Sequence, residues 1–410
     1  MKFSDSAAAI GAVASILSTY YQGADAFIAQ HPPSSSPFPT RWPPGQTTYA
    51  AKKKSSGGGF GGGGGFGSGG TSAPSKKKAA KKRKRSEMES LLASSKQETK
   101  ASDNDDADEP QLDRFGLPIP TEDDVFPPLP ADTELTSVKE DEAITMEDIR
   151  TAMKDHVQFN FDLFDDATCE EKNPANGAAP MKLRLLHRSP PVLAIDNFFT
   201  DEECDEYIAL SSQDETNGDG ALMVDSKTFS LSLATRTSTT WFLHYRQVPT
   251  LLAKTSRLLD NLPIERIEEP QLVRYKTGEQ FSYHYDALPD EELDRNGGNR
   301  VATLLVYLRT IDENRGGATE FRDLRDGSGN TLSMRPTKGS ALLFFPTFAN
   351  GRADDRTLHK GEIAVDEKMI GQIWVHQGKY NPAVPEGNSH LLAQDAVAEK
   401  RREFGYEAAA

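Results

Sequence analysis

From Gln271 onward the chain is written in short β-branched and aromatic runs, each stopped by Gly, Asn or Asp. A chain of that texture can only fold as a succession of short strands joined by tight turns. The runs are Leu272–Tyr275, Val301–Leu308, Thr319–Phe321, Ala341–Phe345, Glu362–Val365 and Met369–Gln377. Ahead of them the period changes. Val192–Ile195 reads as a strand, and Thr200-x-x-Glu203 is a capping box that opens a helix to about Ser211. A second helix is expected over Pro249–Asn261, with Leu251, Leu252, Thr255, Leu258 and Leu259 as its buried stripe. Thr145 is placed to cap a short amphipathic helix carrying Met146, Ile149 and Met153 on one side. Helices first and many short strands afterwards predict an α+β fold, with an antiparallel jelly-roll core backed by helices.

Composition confines that fold to about half of the 410 residues. Hydrophobic residues are 36%, and 15 of the 32 Gly and 13 of the 25 Pro fall before residue 135, in the first third of the chain. Residues 27–135 read as a long disordered region of changing flavour: Ser/Pro-rich, then Gly57–Gly70, then Lys76–Arg85 with eight Lys or Arg in ten, then acidic Asp103–Glu109, then Pro118–Pro130. None of these can bury enough apolar surface to offset the entropy of ordering. Residues 136–186 read as a short helical and linker segment, 187–380 as the folded domain, and 381–410 as a polar tail with a surface helix over His390–Phe404. The net charge of −15 gives no general affinity for nucleic acid. The basic run fits a solvated linker or transit segment, a nuclear localisation signal or a nucleic-acid contact.

Cys169 and Cys204 are the only cysteines, so neither a disulfide framework nor a cysteine zinc site can be read, and Cys204 sits at helical spacing with Tyr207 and Ile208 as a buried apolar residue. Residues 1–26 carry Lys2, an apolar run from Ala7 to Leu17 and Ala24-x-Ala26, the pattern of a signal peptide and too short for a good membrane span. Entry into the secretory pathway, ending in plastid or endoplasmic reticulum, follows from that reading, and weighs against the nucleus. A disordered terminus with a chance apolar patch is the alternative.

Chemistry is concentrated in two places. His284-Tyr285-Asp286 on an extended segment puts His284 and Asp286 on one face, because strand side chains alternate. His359, far downstream in Asp355-Arg-Thr-Leu-His359, supplies a third corner. Two His and one carboxylate leave three positions open on Fe(II), the arrangement an oxygen-activating enzyme needs. His31, His156, His187, His244 and His390 lack a matching context.

His-x-Asp alone is a weak signal, and its surroundings are specific. Pro191-Val-Leu-Ala-Ile-Asp-Asn-Phe198, Arg236-Thr237-Ser238, Gln271-Leu-Val-Arg-Tyr275, Arg300-Val-Ala-Thr303, Gly316-Gly317-Ala-Thr319, Lys338-Gly339-Ser and Lys368-Met-Ile-Gly-Gln-Ile-Trp374-Val-His376 follow one another in order. In that order and spacing, over about residues 187–380, the chain resembles the catalytic domain of the prolyl 4-hydroxylase family of 2-oxoglutarate and Fe(II) dependent dioxygenases. The resemblance implies a double-stranded β-helix and hydroxylation of peptidyl proline, coupled to decarboxylation of 2-oxoglutarate to succinate and CO2. Its cofactors would be Fe(II), 2-oxoglutarate, O2 and ascorbate, and its partner a proline-containing peptide or protein, not nucleic acid.

By the same resemblance His284, Asp286 and His359 ligate iron, and Lys368 takes the far carboxylate of 2-oxoglutarate through a charge-assisted hydrogen bond. Alternation from Lys368 puts Ile370, Gln372, Trp374 and His376 on its face, and sends Lys360 away from the pocket if His359 points in. Tyr275 matches a family tyrosine on the same carboxylate. Thr303 and Trp374 match positions lining that pocket, though each also reads as an ordinary strand residue. Arg300 and His376 match positions that hold the substrate peptide, and Arg236 lies in a segment near the mouth. Two departures stand out: Lys368 follows His359 by nine residues where the family has ten, and Ile363-Ala364-Val365 replaces a usual Pro-Val pair. Lys rather than Arg at position 368 sides with the collagen-type and plant or algal enzymes. The alternatives are the same chemistry on another side chain, a small molecule or a nucleobase, and a jelly-roll binding module without turnover.

Overall fold

The computed structural model describes residues 122–406 except 175–176, 213–221, 226–235, 290–292, 294–295 and 383–388. The expected presequence, Gly-rich linker, basic run and acidic run lie outside the described residues. Two antiparallel sheets face each other. The larger has nine strands in the order β1-β2-β3-β11-β8-β13-β6-β5-β4, and the smaller has four in the order β10-β9-β12-β7. Their ranges are β1 Thr136–Ser137, β2 Lys182–Ser189, β3 Val192–Asp196, β4 Leu222–Asp225, β5 Thr239–Phe242, β6 Gln271–Tyr275 and β7 Phe281–His284. The remainder are β8 Arg300–Tyr307, β9 Thr319–Arg325, β10 Thr331–Met334, β11 Ala341–Phe344, β12 His359–Gly361 and β13 Lys368–His376. This is the jelly-roll core that the strand texture predicts.

Period-two alternation divides the large sheet into two buried faces. Leu304, Val306, Leu343, Met369, Ile373 and Val375 pack outward under the helices. Their neighbours Leu305, Tyr307, Leu342, Phe344 and Ile370 pack inward against the small sheet. A strand buried on both sides reads as an unbroken apolar run, which is why β8 and β11 are the most legible strands. The helices are α1 Glu122–Val125, α2 Met146–Met153, α3 Asp201–Ala209, α4 Pro249–Leu258 and α5 His390–Glu403. No helix among the described residues is long and apolar enough to cross a membrane. Thr145 caps α2 as expected and also closes a capping box with Asp148, and the expected Thr200–Glu203 box opens α3. Tyr207 on α3 lies so close to the sheet that a Cβ on Gly371 would stand 3.2 Å from its ring.

Four local expectations change. Helix α4 stops at Leu258, because Asp260 and Asn261 take left-handed φ values of 52° and 57°. The strand expected over Glu362–Val365 is instead His359–Gly361. After Gly361 the chain leaves the ladder, and Ala364 and Val365 bury their side chains while their N–H groups bond Glu279 and Arg315 carbonyls. Helix α5 is not a surface helix: Ala393 and Val397 are buried, His390 Nε2 lies 2.8 Å from the Ile267 carbonyl, and Arg401 donates to Ser256 and Asn261. The Pro-rich segment after residue 122 is also tied to the body. Phe126 is buried edge-on to Tyr285, and Arg322 donates to the carbonyls of Phe126 and Pro127. Cys169 and Cys204 are free and buried.

Helix α2 anchors residues that precede the strands, with Met146 and Ile149 fully buried. Ile149→Ala is expected to lower unfolding free energy by about 2–5 kcal/mol in urea titration, the usual range for truncating a buried Ile. A loss below about 0.5 kcal/mol would mean that α2 does not dock.

Candidate active site

Strand β12 pairs with β7 so that the Cα of His359 faces that of His284. Asp286 follows two residues later on the His284 face. The result is three ligand atoms within 4.8 Å of one another. His284 Nε2 is 3.7 Å from Asp286 Oδ1, and His359 Nε2 is 3.8 Å from Oδ2. Each ring is oriented from behind. His284 Nδ1 is 2.8 Å from the Ser282 carbonyl, and His359 Nδ1 is 3.0 Å from that of Thr357. Carbonyls only accept, so each Nδ1 donates and each Nε2 is the ring atom turned towards the carboxylate.

The surroundings favour the ligand form of His284 and Asp286. Burial, reinforced by His359, pushes the His284 imidazole down to about 3, so it is neutral. Burial by itself would raise the Asp286 carboxyl, but His359, His284 and Arg300 outweigh it and hold it below the usual range. Thr303 Oγ1 donates to Asp286 Oδ2 at 2.8 Å, so the structure gives Thr303 to the carboxylate. Phe281 stacks on His284 at 3.6 Å, and Phe344 stands edge-on to His359 at 4.7 Å. A neutral His284, a second imidazole and an ionised carboxylate, converging and oriented from behind, are the donor set that suits Fe(II).

Lys368 opens β13 directly opposite Tyr275 on β6. Its ammonium is buried, 5.2 Å from the Tyr275 ring centre and 5.9 Å from that of Tyr307. Among the described residues no carboxylate lies within ion-pair distance of it. Burial pulls its pKa down to about 8, and only the more distant Glu362 opposes that shift. A Cβ on Gly361 would lie 3.7 Å from Lys368 Nζ and 3.8 Å from Tyr275 Oη, so both polar groups reach the space beside that glycine. A dicarboxylate end fits there as the missing counter-charge. Lys360 is turned the other way, paired with Glu320 at 2.8 Å. Arg236 is buried with Nε on Ser238 Oγ and Nη2 on Thr240 Oγ1, each at 2.9 Å, and its guanidinium lies 4.9 Å over Phe281.

The other end of the barrel is organised by a residue the sequence reading missed. Glu268 accepts two bonds from Arg300, Nε at 2.8 Å and Nη2 at 2.7 Å, and lies 2.9 Å from His376 Nε2. His376 is fully buried, with Nδ1 3.0 Å from the Gly298 carbonyl, so both ring nitrogens are engaged within the chain. Arg300 also donates to the Asp286 carbonyl at 3.4 Å and lies 3.8 Å over the Trp374 ring. Arg300 and His376 thus meet through Glu268, and Arg300 links that pair to the strand end carrying Asp286. Burial would raise the Glu268 carboxyl, but Arg300 and His376 hold it below the ordinary range. In the sequence Glu268 is one of two acids before Pro270, and nothing local marks it.

A fold of two facing antiparallel sheets, with two imidazoles and a carboxylate converging inside, defines the class of 2-oxoglutarate and Fe(II) oxygenases. The sequence model of the 2OG-Fe(II) oxygenase superfamily matches residues 270–376. Prolyl 4-hydroxylase 2 of Arabidopsis thaliana is 28% identical over 238 residues, covering 53% of this chain and 78% of the relative. Prolyl 4-hydroxylase 1 of the same plant is 31% identical over 210 residues, covering 48% of this chain and 72% of the relative. Among solved structures, the viral collagen prolyl hydroxylase of Paramecium Bursaria Chlorella virus-1 aligns at 25% identity and a TM-score of 0.34, covering 45% of this chain and 94% of that one. The chain belongs to the prolyl 4-hydroxylase family.

Replacing the Glu268 carboxylate by an amide of the same shape leaves Arg300 and His376 without their buried counter-charge. Glu268→Gln is expected to destabilise the fold by about 3–5 kcal/mol in urea titration. A loss under about 1 kcal/mol would show that the Arg300 pair is not buried as described.

Proposed function

We propose that the chain hydroxylates peptidyl proline, with His284, Asp286 and His359 holding Fe(II), and Lys368 and Tyr275 holding the far carboxylate of 2-oxoglutarate. The observation that carries this reading is the pairing of two unmet needs in one barrel. Three converged ligand atoms lie at one place, and a buried ammonium with no counter-ion among the described residues lies at another. The oxidation, in which O2 and 2-oxoglutarate become succinate and CO2 while a proline C–H becomes C–OH, is the chemistry that bound Fe(II) supplies.

The chain's own residues do the rest. The Ser282 and Thr357 carbonyls engage Nδ1 of both imidazoles and turn Nε2 towards Asp286, and Thr303 fixes the Asp286 rotamer. Lys368 and the Tyr275 hydroxyl orient the cosubstrate by its charge. Phe281 packs on the His284 ring, and Phe321 and Phe344 pack on the His359 ring. Arg300 and His376, held by Glu268, form a rigid wall beside Asp286 at the end where a peptide would enter. Ascorbate is the expected reductant that restores Fe(II) after turnover without substrate.

The full chain with Fe(II), 2-oxoglutarate and ascorbate is expected to release succinate faster when a proline-rich peptide is added, with +16 Da on proline. His284→Ala should abolish both signals. Iron-dependent turnover indifferent to the peptide would contradict the substrate assignment.

The Lys368 ammonium is charged below its pKa of about 8 and neutral above it, so it attracts a carboxylate only on the acid side. For 2-oxoglutarate, kcat/KM should be level below pH 8 and fall above it. Lys368→Arg, charged throughout, should remove the fall. An unchanged profile in that variant would assign the titration to another group.

A further inference from the structure

Strand β13 lines the barrel with Lys368, Ile370, Gln372, Trp374 and His376, since Ile370 belongs to the inner cluster while Met369 and Ile373 belong to the outer one. Of its polar members, His376 is matched by Glu268 and Gly298, and Lys368 has the role proposed above. Gln372 and Trp374 are left over. Gln372 is 7% exposed and its side-chain amide has no hydrogen bond among the described residues. Trp374 Nε1 is buried without a partner among the described residues. On the neighbouring strand Gln271 stands opposite Gln372 on the same inner face, and its Oε1 is also buried and unpartnered. Buried polar groups are nearly always hydrogen-bonded, so the unmatched Gln271 Oε1 and Trp374 Nε1, with the Gln372 amide beside them, mark a ligand surface.

The chemistry of the missing ligand can be read from theirs. The set offers an indole donor and carboxamide acceptors, with no net charge. The nearest charge, Arg300, is engaged by Glu268 and lies over the Trp374 ring. A peptide group complements such a surface because it brings one acceptor and one donor and no charge. A peptidyl proline has no N–H of its own, so the donor nearest its ring is the N–H of the residue that follows. We infer that Gln372, with Gln271 beside it, accepts the main-chain N–H of the residue after the target proline, and that Trp374 donates to a neighbouring main-chain carbonyl. Substrate choice at this wall is then for the peptide bond that follows proline. This rests on the reading of the chain as a peptidyl-proline hydroxylase.

The test pairs a change in the protein with a change in the substrate, so that a poorly folded variant cannot imitate the result. A blocked Pro-Pro-Gly repeat peptide is compared with an analogue in which the amide after the target proline is an ester, which lacks the N–H. The wild-type full chain should discriminate against the ester by at least tenfold in kcat/KM, mostly through KM. Gln372→Leu should turn over the amide more slowly yet discriminate less than threefold, and Gln372→Asn should give an intermediate ratio. Equal discrimination by wild type and Gln372→Leu, or none by wild type, would overturn the inference. If wild type shows no peptide-dependent turnover with either substrate, the proposed function itself falls. A surviving amide reaction with unchanged ester discrimination overturns the inference and leaves the proposed function standing.

Discussion

The antiparallel pairing of β12 with β7 is the constraint on which the site depends. It sets His359 across from His284, and the two-residue period of the strand brings Asp286 to the same face. A shift of one residue in that pairing would send the His359 side chain to the outer face and destroy the cluster. The register is protected on both sides. β12 also pairs with β9, where His359 faces Phe321, and the side chains of Phe321 and Phe344 wedge against the imidazole. Backbone carbonyls then settle which ring nitrogen carries the proton. The ligand geometry is therefore a product of sheet hydrogen bonding, with little left to side-chain freedom.

The large sheet plays the complementary part. Its outer face is an apolar layer under α3, α4 and α5, and its inner face can hold polar groups because each strand exposes alternate residues to the barrel. Along β13 that alternation places an ammonium, a carboxamide, an indole and an imidazole in one column. Glu268 makes the far end rigid by engaging Arg300 and His376 together. The barrel is thus electrostatically divided. One end holds a cation with no ion-pair partner among the described residues, the middle holds the His and Asp donors, and the other end holds the Arg300–Glu268 pair.

Much of this was legible in the sequence, for identifiable reasons. Strands buried on both faces, such as β8 and β11, appear as continuous apolar runs, and the Thr145 cap and the Thr200 capping box announce the starts of α2 and α3. The residues His284, Asp286, His359 and Lys368 stand in a pattern that survives without knowledge of the fold. What escaped has a physical cause. β12 is three residues long and includes a Lys and a Gly, so its propensity is weak and the apolar run just after it took the strand assignment. β7 and β10 are short, and their pairing in the small sheet decides their state. Glu268 could not be found because its meaning lies in Arg300 and His376, 32 and 108 residues away. The docking of α5 likewise depends on Ala393 and Val397, which are inconspicuous in a polar helix.

The central claim is that the β7–β12 register builds one iron site whose cosubstrate is held by Lys368. Anaerobic titration of the full chain with Fe(II), followed by 2-oxoglutarate, tests it most directly through iron stoichiometry and the visible absorption of the iron–cosubstrate complex. The account predicts one iron per chain, an absorption that grows with 2-oxoglutarate, no iron in His359→Ala, and iron but weakened 2-oxoglutarate binding in Lys368→Met. Stoichiometric iron in His359→Ala, or 2-oxoglutarate binding in Lys368→Met as tight as in wild type, would contradict it.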